Sequence, residues 1–274
     1  MSPDQGYDAA SAASYWSGAR HERGDELGAV LSLGEPRAVN EAYDAWETGL
    51  LLRAIGGRTF RHGLDLGTGV GRVAVQIANR VTRIVAADLA PGMLERARRN
   101  ARGAGVTNLD AARLRSDRLP FHDASFDLVL CLGLLEHLPP ETRRATLREC
   151  ARVLEAGGVL VLVLNNDGSA LLRDPSDNPH REGRQLESGY YCAIVGEGTL
   201  RHETADLFED RVEGSNLFYS LQRHAARGLA DPERGSGGLR SFFQCAAAWD
   251  VAVRPLGALA DKAADHHLHL LVKR

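Results

Sequence analysis

The chain has 274 residues, of which 44% are hydrophobic, and that length is sufficient for one large core with a modest cap. Its formal net charge of −3 excludes a broad basic surface for non-specific nucleic-acid binding. The absence of a signal-peptide pattern and of a run of about 18 apolar residues predicts a cytoplasmic protein without a membrane partner. The four cysteines form no C-x-x-C pair and suggest no disulfide framework.

The first 40 residues are polar, rich in Gly and Ala, and only weakly periodic. We interpret them as a flexible arm or a lid, in which Tyr15 and Trp16 help to close a binding site and contact its substrate. Beyond this arm, apolar residues recur at helical spacing from Glu41 to Ile55, and Gly56-Gly57 ends the predicted helix.

Strands and helices then alternate along the chain. Apolar runs predict strands at 59–66, 83–87, 126–132 and 159–164, with Asp127 as the one polar interruption of the third. Helices are predicted at 72–80, from Pro91 to Ala104-Gly105, and around an amphipathic stretch that ends at Leu154. Apolar strands that alternate with helices indicate a parallel sheet covered on both faces.

The expected fold is therefore α/β, with a doubly wound, mostly parallel seven-stranded sheet, helices on both faces, an N-terminal arm and inserted cap segments. We divide the chain into an arm or lid (1–40), a Rossmann-like cofactor-binding core (41–164), and a third part (165–274). The third part contains cap or acceptor-binding insertions and the strands that close the sheet.

The third part begins with a polar segment at 165–200 that includes Tyr190 and Tyr191. A helix at 199–207, a strand at 211–216, a helix at 217–229, a loop at 230–238 and a final strand at 267–272 are predicted after it. On that last strand His267 and His269 share a face, whereas His266 points away. We interpret it as an ordinary edge strand and predict no metal site.

A glycine-rich turn from Leu64 to Arg72 carries the main functional signal. Glycines permit positive φ and let a ligand lie against the backbone, and the following helix presents free N–H groups. The dinucleotide pattern G-x-G-x-x-G fails at Arg72. Asp88 follows Gly67 by 21 residues, at the end of the next predicted strand, where it could accept hydrogen bonds from ribose hydroxyls or merely cap a helix.

Four motifs in order resemble the class I (Rossmann-like) S-adenosylmethionine-dependent methyltransferases. They are the G-x-G-x-G turn preceded by Asp65, the run from Asp117 through Leu119-Pro120-Phe121 to Phe126-Asp127-Leu128-Val129, the segment Leu135–Leu138, and Leu154-Glu155-Ala156-Gly157-Gly158, in which Ala156 replaces the usual proline. The spacing is similar to that of the ubiquinone-type and secondary-metabolite branch. The resemblance implies methyl transfer from S-adenosylmethionine, leaving S-adenosylhomocysteine, to an O or N atom of a small molecule in a biosynthetic pathway.

The resemblance also assigns cofactor-binding roles. Asp65 would organise the glycine loop, Asp88 would hold the ribose, and Arg115 stands where the family usually has an acid near the adenine. The full expected cofactor set is Asp65, Gly67, Thr68, Gly69, Gly71, Asp88, Leu89, Met93, Ser116, Asp117, Cys131 and Leu132, with a backbone carbonyl of Cys131 or Leu132 facing the methionyl end.

His137 is the first candidate for a general base, with Glu136 beside it, although the pair could simply shape the pocket. His180 and His202 are weaker candidates for the base. Tyr190, Tyr191 and His202 are candidates for the acceptor pocket, although the two tyrosines could equally pack the cap. A protein or RNA methyltransferase, a non-catalytic cofactor-binding partner and a diverged enzyme with another reaction remain alternatives, as do a monomer and a homodimer.

Overall fold

The computed structural model describes residues 8–20, 27–31, 37–166, 169, 184–185, 191–226, 236–252 and 263–274. Two of the predicted site residues, His180 and Tyr190, lie outside this part of the chain. Its strands are β1 (Phe60–Leu66), β2 (Val81–Asp88), β3 (Leu109–Arg113), β4 (Phe126–Leu132), β5 (Leu154–Asn165), β6 (Arg184–Gln185), β7 (Tyr191–Cys192), β8 (Phe208–Ser215) and β9 (His266–Lys273).

Seven of these strands form one sheet in the order β3-β2-β1-β4-β5-β9-β8. The first five are parallel to one another, and β9 is antiparallel to both β5 and β8. The predicted α/β, mostly parallel seven-stranded sheet is thus confirmed. The strand order reverses between β1 and β4, and the crevice at the carboxyl ends of strands beside such a reversal is where this kind of sheet binds ligands.

Helices cover both faces of the sheet. They are α1 (Ala9–Tyr15), α2 (Arg37–Ile55), α3 (Arg72–Ile77), α4 (Pro91–Gly103), α5 (Pro140–Val153), α6 (Glu197–Thr204), α7 (Leu217–Ala226) and α8 (Ser236–Ala252). Strand β5 shows how the faces are assigned: Val161 and Val163 enter the core beneath α2 and α8, whereas Leu160 and Leu162 enter the core beneath α5 and α6. This alternation explains why a strand buried on both sides reads as an uninterrupted apolar run.

The main differences from the sequence predictions concern two strands and one helix. Strand β3 was not predicted, because its residues are only partly buried at the sheet edge and carry no apolar run. Helix α8 begins at Ser236, inside the predicted loop 230–238. Strand β9 is not an edge strand: β8 pairs with it on the side opposite β5, so its histidines lie in the sheet interior.

The predicted domain boundaries at 40 and 164 are not marked by separate structural units. Helix α2 begins at Arg37, before the first boundary, and strands β8 and β9 of the third part belong to the same sheet as the core. The three-part division stays a prediction. Among the helices that the structure describes, none combines the length and apolar character needed to cross a bilayer.

Asp127, the polar interruption in the apolar run of β4, fastens the start of β1. Its carboxylate accepts hydrogen bonds from the backbone N–H groups of Arg61 (2.7 Å) and His62 (2.9 Å). Hydrogen bonds to a charged partner are among the stronger ones, so Asp127→Ala should lower the free energy of unfolding by about 2 kcal/mol. Urea denaturation measures this change. Asp110→Ala is the control, because Asp110 makes only an exposed ion pair with Arg83; equal effects of the two substitutions would contradict the assignment.

Candidate functional site

A cavity of about 370 Å³ runs along the carboxyl ends of β2, β1, β4 and β5, at the predicted crevice. One end is formed by the glycine turn after β1 and by Asp88 at the end of β2. The other end is formed by Asn165 at the end of β5 and by His266 at the start of β9. The topology therefore brings together groups that are separated by up to about 200 residues in the sequence.

The glycine turn has the conformation that its sequence requires. Gly67 and Gly69 have φ values of 78° and 54°, in the left-handed region that disfavours other residues. The N–H groups of Gly67 and Thr68 donate to the carbonyl of Ala87, which ties the turn to β2. A Cβ atom on Gly69 would lie 2.6 Å from a methyl carbon of Val30. The turn therefore presents bare backbone to the cavity, as close approach of a ligand demands.

Two carboxylates stand beside this turn. Asp65 is buried, and its Oδ2 accepts a hydrogen bond from the hydroxyl of Thr68 at 2.6 Å. Burial raises the pKa of Asp65 to about 6, although the Thr68 hydrogen bond and the charge of Arg72 act in the opposite direction. A cationic ligand group near Asp65 would favour the ionised carboxylate.

Asp88 organises the opposite side of the turn. Its carboxylate accepts from the N–H of Gly69 at 2.9 Å and from the N–H of Ala90, the residue before α4, at 2.8 Å. Burial raises its pKa, while these backbone hydrogen bonds lower it. Asp88 therefore fixes the residue that precedes α4, although no side chain caps the first turn of that helix. A carboxylate has about four lone-pair positions, so two such contacts leave capacity for ligand hydroxyls.

The N-terminal arm forms one wall of the cavity. Trp16 and Val30 pack with Ala90 and Met93 in a small apolar cluster beside the glycine turn. The indole of Trp16 also meets the ring of His137 edge-on, with a centroid distance of 5.1 Å. Trp16 thus joins the turn side of the cavity to the segment that follows β4, and its closing role stays a prediction.

The segment after β3 combines two opposite charges on the cavity wall. The guanidinium of Arg115 donates to both oxygens of Asp117, at 2.9 and 2.7 Å. The hydroxyl of Ser116 lies 2.9 Å from the hydroxyl of Thr146. All three residues of the segment line the cavity. Asp117 therefore supplies a carboxylate two residues after the position where the related family usually has an acid. That carboxylate is paired with the guanidinium of Arg115.

The segment after β4 supplies the two candidate catalytic groups. His137 Nδ1 lies 2.9 Å from the carbonyl oxygen of Tyr191, and since a carbonyl only accepts, Nδ1 carries the proton and Nε2 keeps its lone pair in the neutral ring. Burial raises the pKa of Glu136 to about 7. Both groups line the cavity, and Glu136 could exchange a proton near neutral pH.

A polar stripe on α2 forms a wall that the sequence analysis missed. Asn40, Tyr43 and Glu47 line the cavity, at positions i, i+3 and i+7 of a helix that is otherwise apolar on that side. Arg72 pairs with Glu47 and, at 2.7 Å, with Asp44, which fixes α2 against α3. The sequence did contain a signal for this wall, because polar residues recur at helical spacing within an otherwise apolar helix face.

His266 was singled out by sequence, but only as part of a histidine trio. Its ring meets Tyr43 edge-on at 5.3 Å, and it lines the cavity with Tyr219. Asn216 accepts the N–H of His266 through Oδ1, so its Nδ2 donates to His266 Nδ1 at 3.1 Å. Burial lowers the pKa of His266 to about 4, which keeps the ring neutral, with its remaining proton on Nε2.

The cavity collects most of the predicted residues, but not all of them. The residues on its wall are Trp16, Asp65, Gly67, Thr68, Gly69, Asp88, Leu89, Met93, Ser116, Asp117, Leu132, Glu136, His137 and Tyr191. Four described residues lie off that wall. Gly71 packs against Ala97, Cys131 is buried within β4, Tyr15 contacts the ring of Trp16, and His202 is exposed on α6. We therefore do not carry these four into the proposed site.

Comparison with known proteins identifies similar sequences. Residues 64–158 match the family described as "Methyltransferase domain". Demethylmenaquinone methyltransferase of Deinococcus radiodurans is 36% identical over 143 residues, or 52% of this chain and 55% of that protein. Ubiquinone biosynthesis O-methyltransferase of Xanthomonas euvesicatoria pv. vesicatoria is 35% identical over 99 residues, or 36% of this chain and 41% of that protein. The chain spans about half the length of the curated relatives it matches.

The fold agreement extends further along the chain than the sequence agreement. The N-methyltransferase NodS of Bradyrhizobium japonicum, solved in complex with S-adenosylhomocysteine, superposes with a TM-score of 0.56 at 14% identity. The superposition covers 96% of this chain and 98% of that one. At this identity the likeness establishes the fold alone.

Proposed function

We propose that the chain transfers a methyl group from S-adenosylmethionine to an O or N atom of a small molecule, because residues 64–158 match the family described as "Methyltransferase domain" and the chain has the fold of a methyltransferase. The observation that carries the proposal is the shared cavity. It joins the bare glycine turn, the carboxylates of Asp65 and Asp88, and the groups of Glu136 and His137 on one wall.

The chain's own residues fit this cofactor. Gly67 and Gly69 offer backbone without side chains, Asp88 retains acceptor capacity for ribose hydroxyls, and Asp65 offers a buried carboxylate to the methionyl ammonium. Leu89, Met93 and the segment 115–117 supply apolar and polar wall for the adenine. When bound, S-adenosylmethionine supplies a methyl group activated by the positive sulfonium.

His137 is the proposed general base. A hydroxyl or ammonium acceptor must lose a proton when it is methylated. The contact of His137 Nδ1 with the Tyr191 carbonyl places the proton of the neutral ring on Nδ1 and the lone pair that would accept a proton on Nε2. Glu136, with its pKa near 7, is the alternative proton acceptor. Trp16 packs against the His137 ring and would restrict its orientation and limit water at the reaction centre.

The acceptor end favours a small molecule. A cavity of about 370 Å³ is at the lower end of the range for small-molecule sites, and the arm covers part of it. Two relatives methylate quinone precursors by name, one of them as an O-methyltransferase, and NodS is an N-methyltransferase. These names support the proposal of a biosynthetic acceptor. The cytoplasmic location and the choice between monomer and homodimer remain predictions.

Calorimetric titration of the purified chain with S-adenosylmethionine and S-adenosylhomocysteine tests the cofactor site. We expect micromolar binding to one site, weakened at least tenfold by Asp88→Ala and unchanged by Asp110→Ala, whose carboxylate lies on the exposed edge strand. Circular dichroism of both variants separates lost binding from lost folding. Absence of binding to both ligands by the folded wild-type chain would overturn the proposal.

Turnover is tested separately, because the same fold hosts different reactions. The chain, S-adenosylmethionine and a panel of phenols, amines and carboxylates are incubated, and formation of S-adenosylhomocysteine is followed by mass spectrometry. Methylated product from a small acceptor supports the proposal. Binding without methyl transfer to any member of the panel, combined with transfer to protein or RNA, would favour the macromolecular alternative.

A further inference from the structure

Three metal-ligating side chains meet on the face of the sheet opposite α2. Glu197 is the first residue of α6, and His267 and His269 project from β9 toward the core beneath α5 and α6. This confirms that the two histidines share a face. None of the three lies on the described cavity wall, so the cluster is separate from the proposed cofactor site.

The geometry of the cluster is compact. One ligand atom from each side chain lies within 4.8 Å of the others. His267 Nδ1 contacts Glu197 Oε1 directly, and His269 Nε2 lies 3.8 Å from the same oxygen. The two histidines are 3% and 0% exposed, so water does not compete freely for their nitrogens.

His269 Nε2 is the atom that points to a ligand. It is buried and has no hydrogen-bond partner among the residues that the structure describes. The other ring nitrogen, Nδ1, lies 3.0 and 3.3 Å from the two carboxylate oxygens of Asp210 on β8. A carboxylate accepts, so Nδ1 carries a proton, and in the neutral ring Nε2 keeps its lone pair. An unsatisfied buried lone pair is costly unless a ligand satisfies it.

We propose that Glu197, His267 and His269 bind Zn²⁺. Two imidazole nitrogens and one carboxylate are a ligand set that Zn²⁺ accepts, with a fourth position left for water. Asp210 then holds His269 from behind, in the carboxylate–histidine–metal arrangement that fixes the ring and its tautomer. Bonds of about 2.1 Å place tetrahedral ligand atoms about 3.4 Å apart, so the widest separation must contract by at most about 1.4 Å.

The surrounding charges are compatible with a dication. Glu197 and Asp210 bring two negative charges, and the nearby cation is Arg201, at 3.2 Å from Glu197 Oε2 and 4.0 Å from Asp210 Oδ2. The side chain of Arg201 is 63% exposed, so it can turn into solvent, where its repulsion is screened. Metal binding would join α6 to β9, next to the segment that carries Tyr191, Cys192 and Ile194 on the cavity wall.

The test uses the full chain without an affinity tag, dialysed against chelator and then titrated calorimetrically with ZnCl₂. We expect one Zn²⁺ per chain and no heat from MgCl₂, because Mg²⁺ prefers oxygen ligands. His269→Gln and Glu197→Gln should weaken Zn²⁺ binding at least 100-fold. Asp210→Asn should weaken it by about 10- to 100-fold, the range known for such outer carboxylates. His122→Gln, which removes an exposed histidine, is the matched control.

Co²⁺ gives a second readout, since a tetrahedral site produces intense visible absorption that Zn²⁺ displaces. If His269→Gln does not fold, the Asp210→Asn titration and the Co²⁺ spectrum of the wild type decide. Sub-stoichiometric binding by the wild type, or affinity unchanged in the folded variants, would overturn the site. Asp88→Ala should still bind Zn²⁺, so failure of the cofactor proposal is distinguishable from failure of this one.

Discussion

Replacing Glu136 by glutamine is expected to stabilise the folded protein at about pH 8 by up to about 3 kcal/mol, and by less than about 1 kcal/mol at about pH 5. The cause is the burial of Glu136 in the cavity wall, which raises its pKa from 4.5 to about 7. Glutamine keeps the shape of the side chain but has no charge to desolvate.

The sign follows from where the proton is held. Between the unfolded pKa of 4.5 and the folded pKa of about 7, the folded chain binds the proton more tightly than the unfolded chain. The wild type is therefore favoured at low pH and loses this contribution as the pH rises through that interval. Burial also raises the pKa values of Asp65 and Asp250, to about 6 and about 7. These two groups make the unfolding free energy fall further as the pH rises, and they do so equally in the wild type and in Glu136→Gln.

Urea denaturation at a series of pH values measures this effect. The difference in unfolding free energy between Glu136→Gln and wild type should grow with pH and level off above neutrality. Glu95→Gln is the control, because Glu95 is exposed on α4 and its ion pair with Arg99 is exposed as well; its difference should stay near zero. A Glu136→Gln curve parallel to the wild type would show that Glu136 ionises normally, and would remove it as an alternative base.

The sheet was predictable because burial on both faces leaves an unmistakable apolar run. Strand β4 was predicted with its observed bounds, and Asp127 interrupts it for a local reason, the two backbone N–H groups of β1. Strand β3 has no such run, because it lies at the edge. The position of β9 could not be derived from its own residues, since insertion between β5 and β8 is a property of the whole topology.

The site was predictable where one short segment carries both the backbone conformation and the chemistry. Gly67, Gly69 and Asp88 satisfy this condition, and the structure places all three on the cavity wall. Tyr43, Tyr219 and His266 do not, because they reach the wall from three remote segments that only the folded sheet brings together. The same holds for Glu197, which completes the proposed metal cluster about 70 residues before His267 and His269.

The arm connects the predictions about fold and function. Asp8 accepts hydrogen bonds from the N–H groups of Ala10 and Ser11 and so begins α1. The π-helical turn that follows, Trp16–Arg20, brings the indole over the cavity. A backbone oxygen of Ser17 lies so near Gly92 that a Cβ on that glycine would be 3.0 Å away. The arm is therefore packed against α4 in a defined position, which makes its contribution to binding measurable.

Trp16→Ala should weaken the binding of S-adenosylhomocysteine about 30-fold. An indole that covers roughly 80 Å² of apolar ligand surface contributes about 2 kcal/mol, which corresponds to that factor. Trp16 packs with Val30, Ala90 and Met93 beside the glycine turn, so its loss also loosens the wall that these residues form. Calorimetric titration of both proteins with S-adenosylhomocysteine gives the ratio directly.

Trp249→Ala is the matched control for this experiment. Trp249 is 60% exposed on α8, meets Phe218 edge-on at a centroid distance of 6.0 Å, and lies off the described cavity wall. Its removal should leave the affinity unchanged, which excludes a general effect of losing a tryptophan. If Trp16→Ala binds S-adenosylhomocysteine as tightly as Trp249→Ala, the arm does not cover the bound cofactor. The contact of Trp16 with His137 then serves acceptor binding or the stability of the fold only. A loss confined to Trp16→Ala makes the arm part of the cofactor site, because the two variants remove the same side chain from different surroundings.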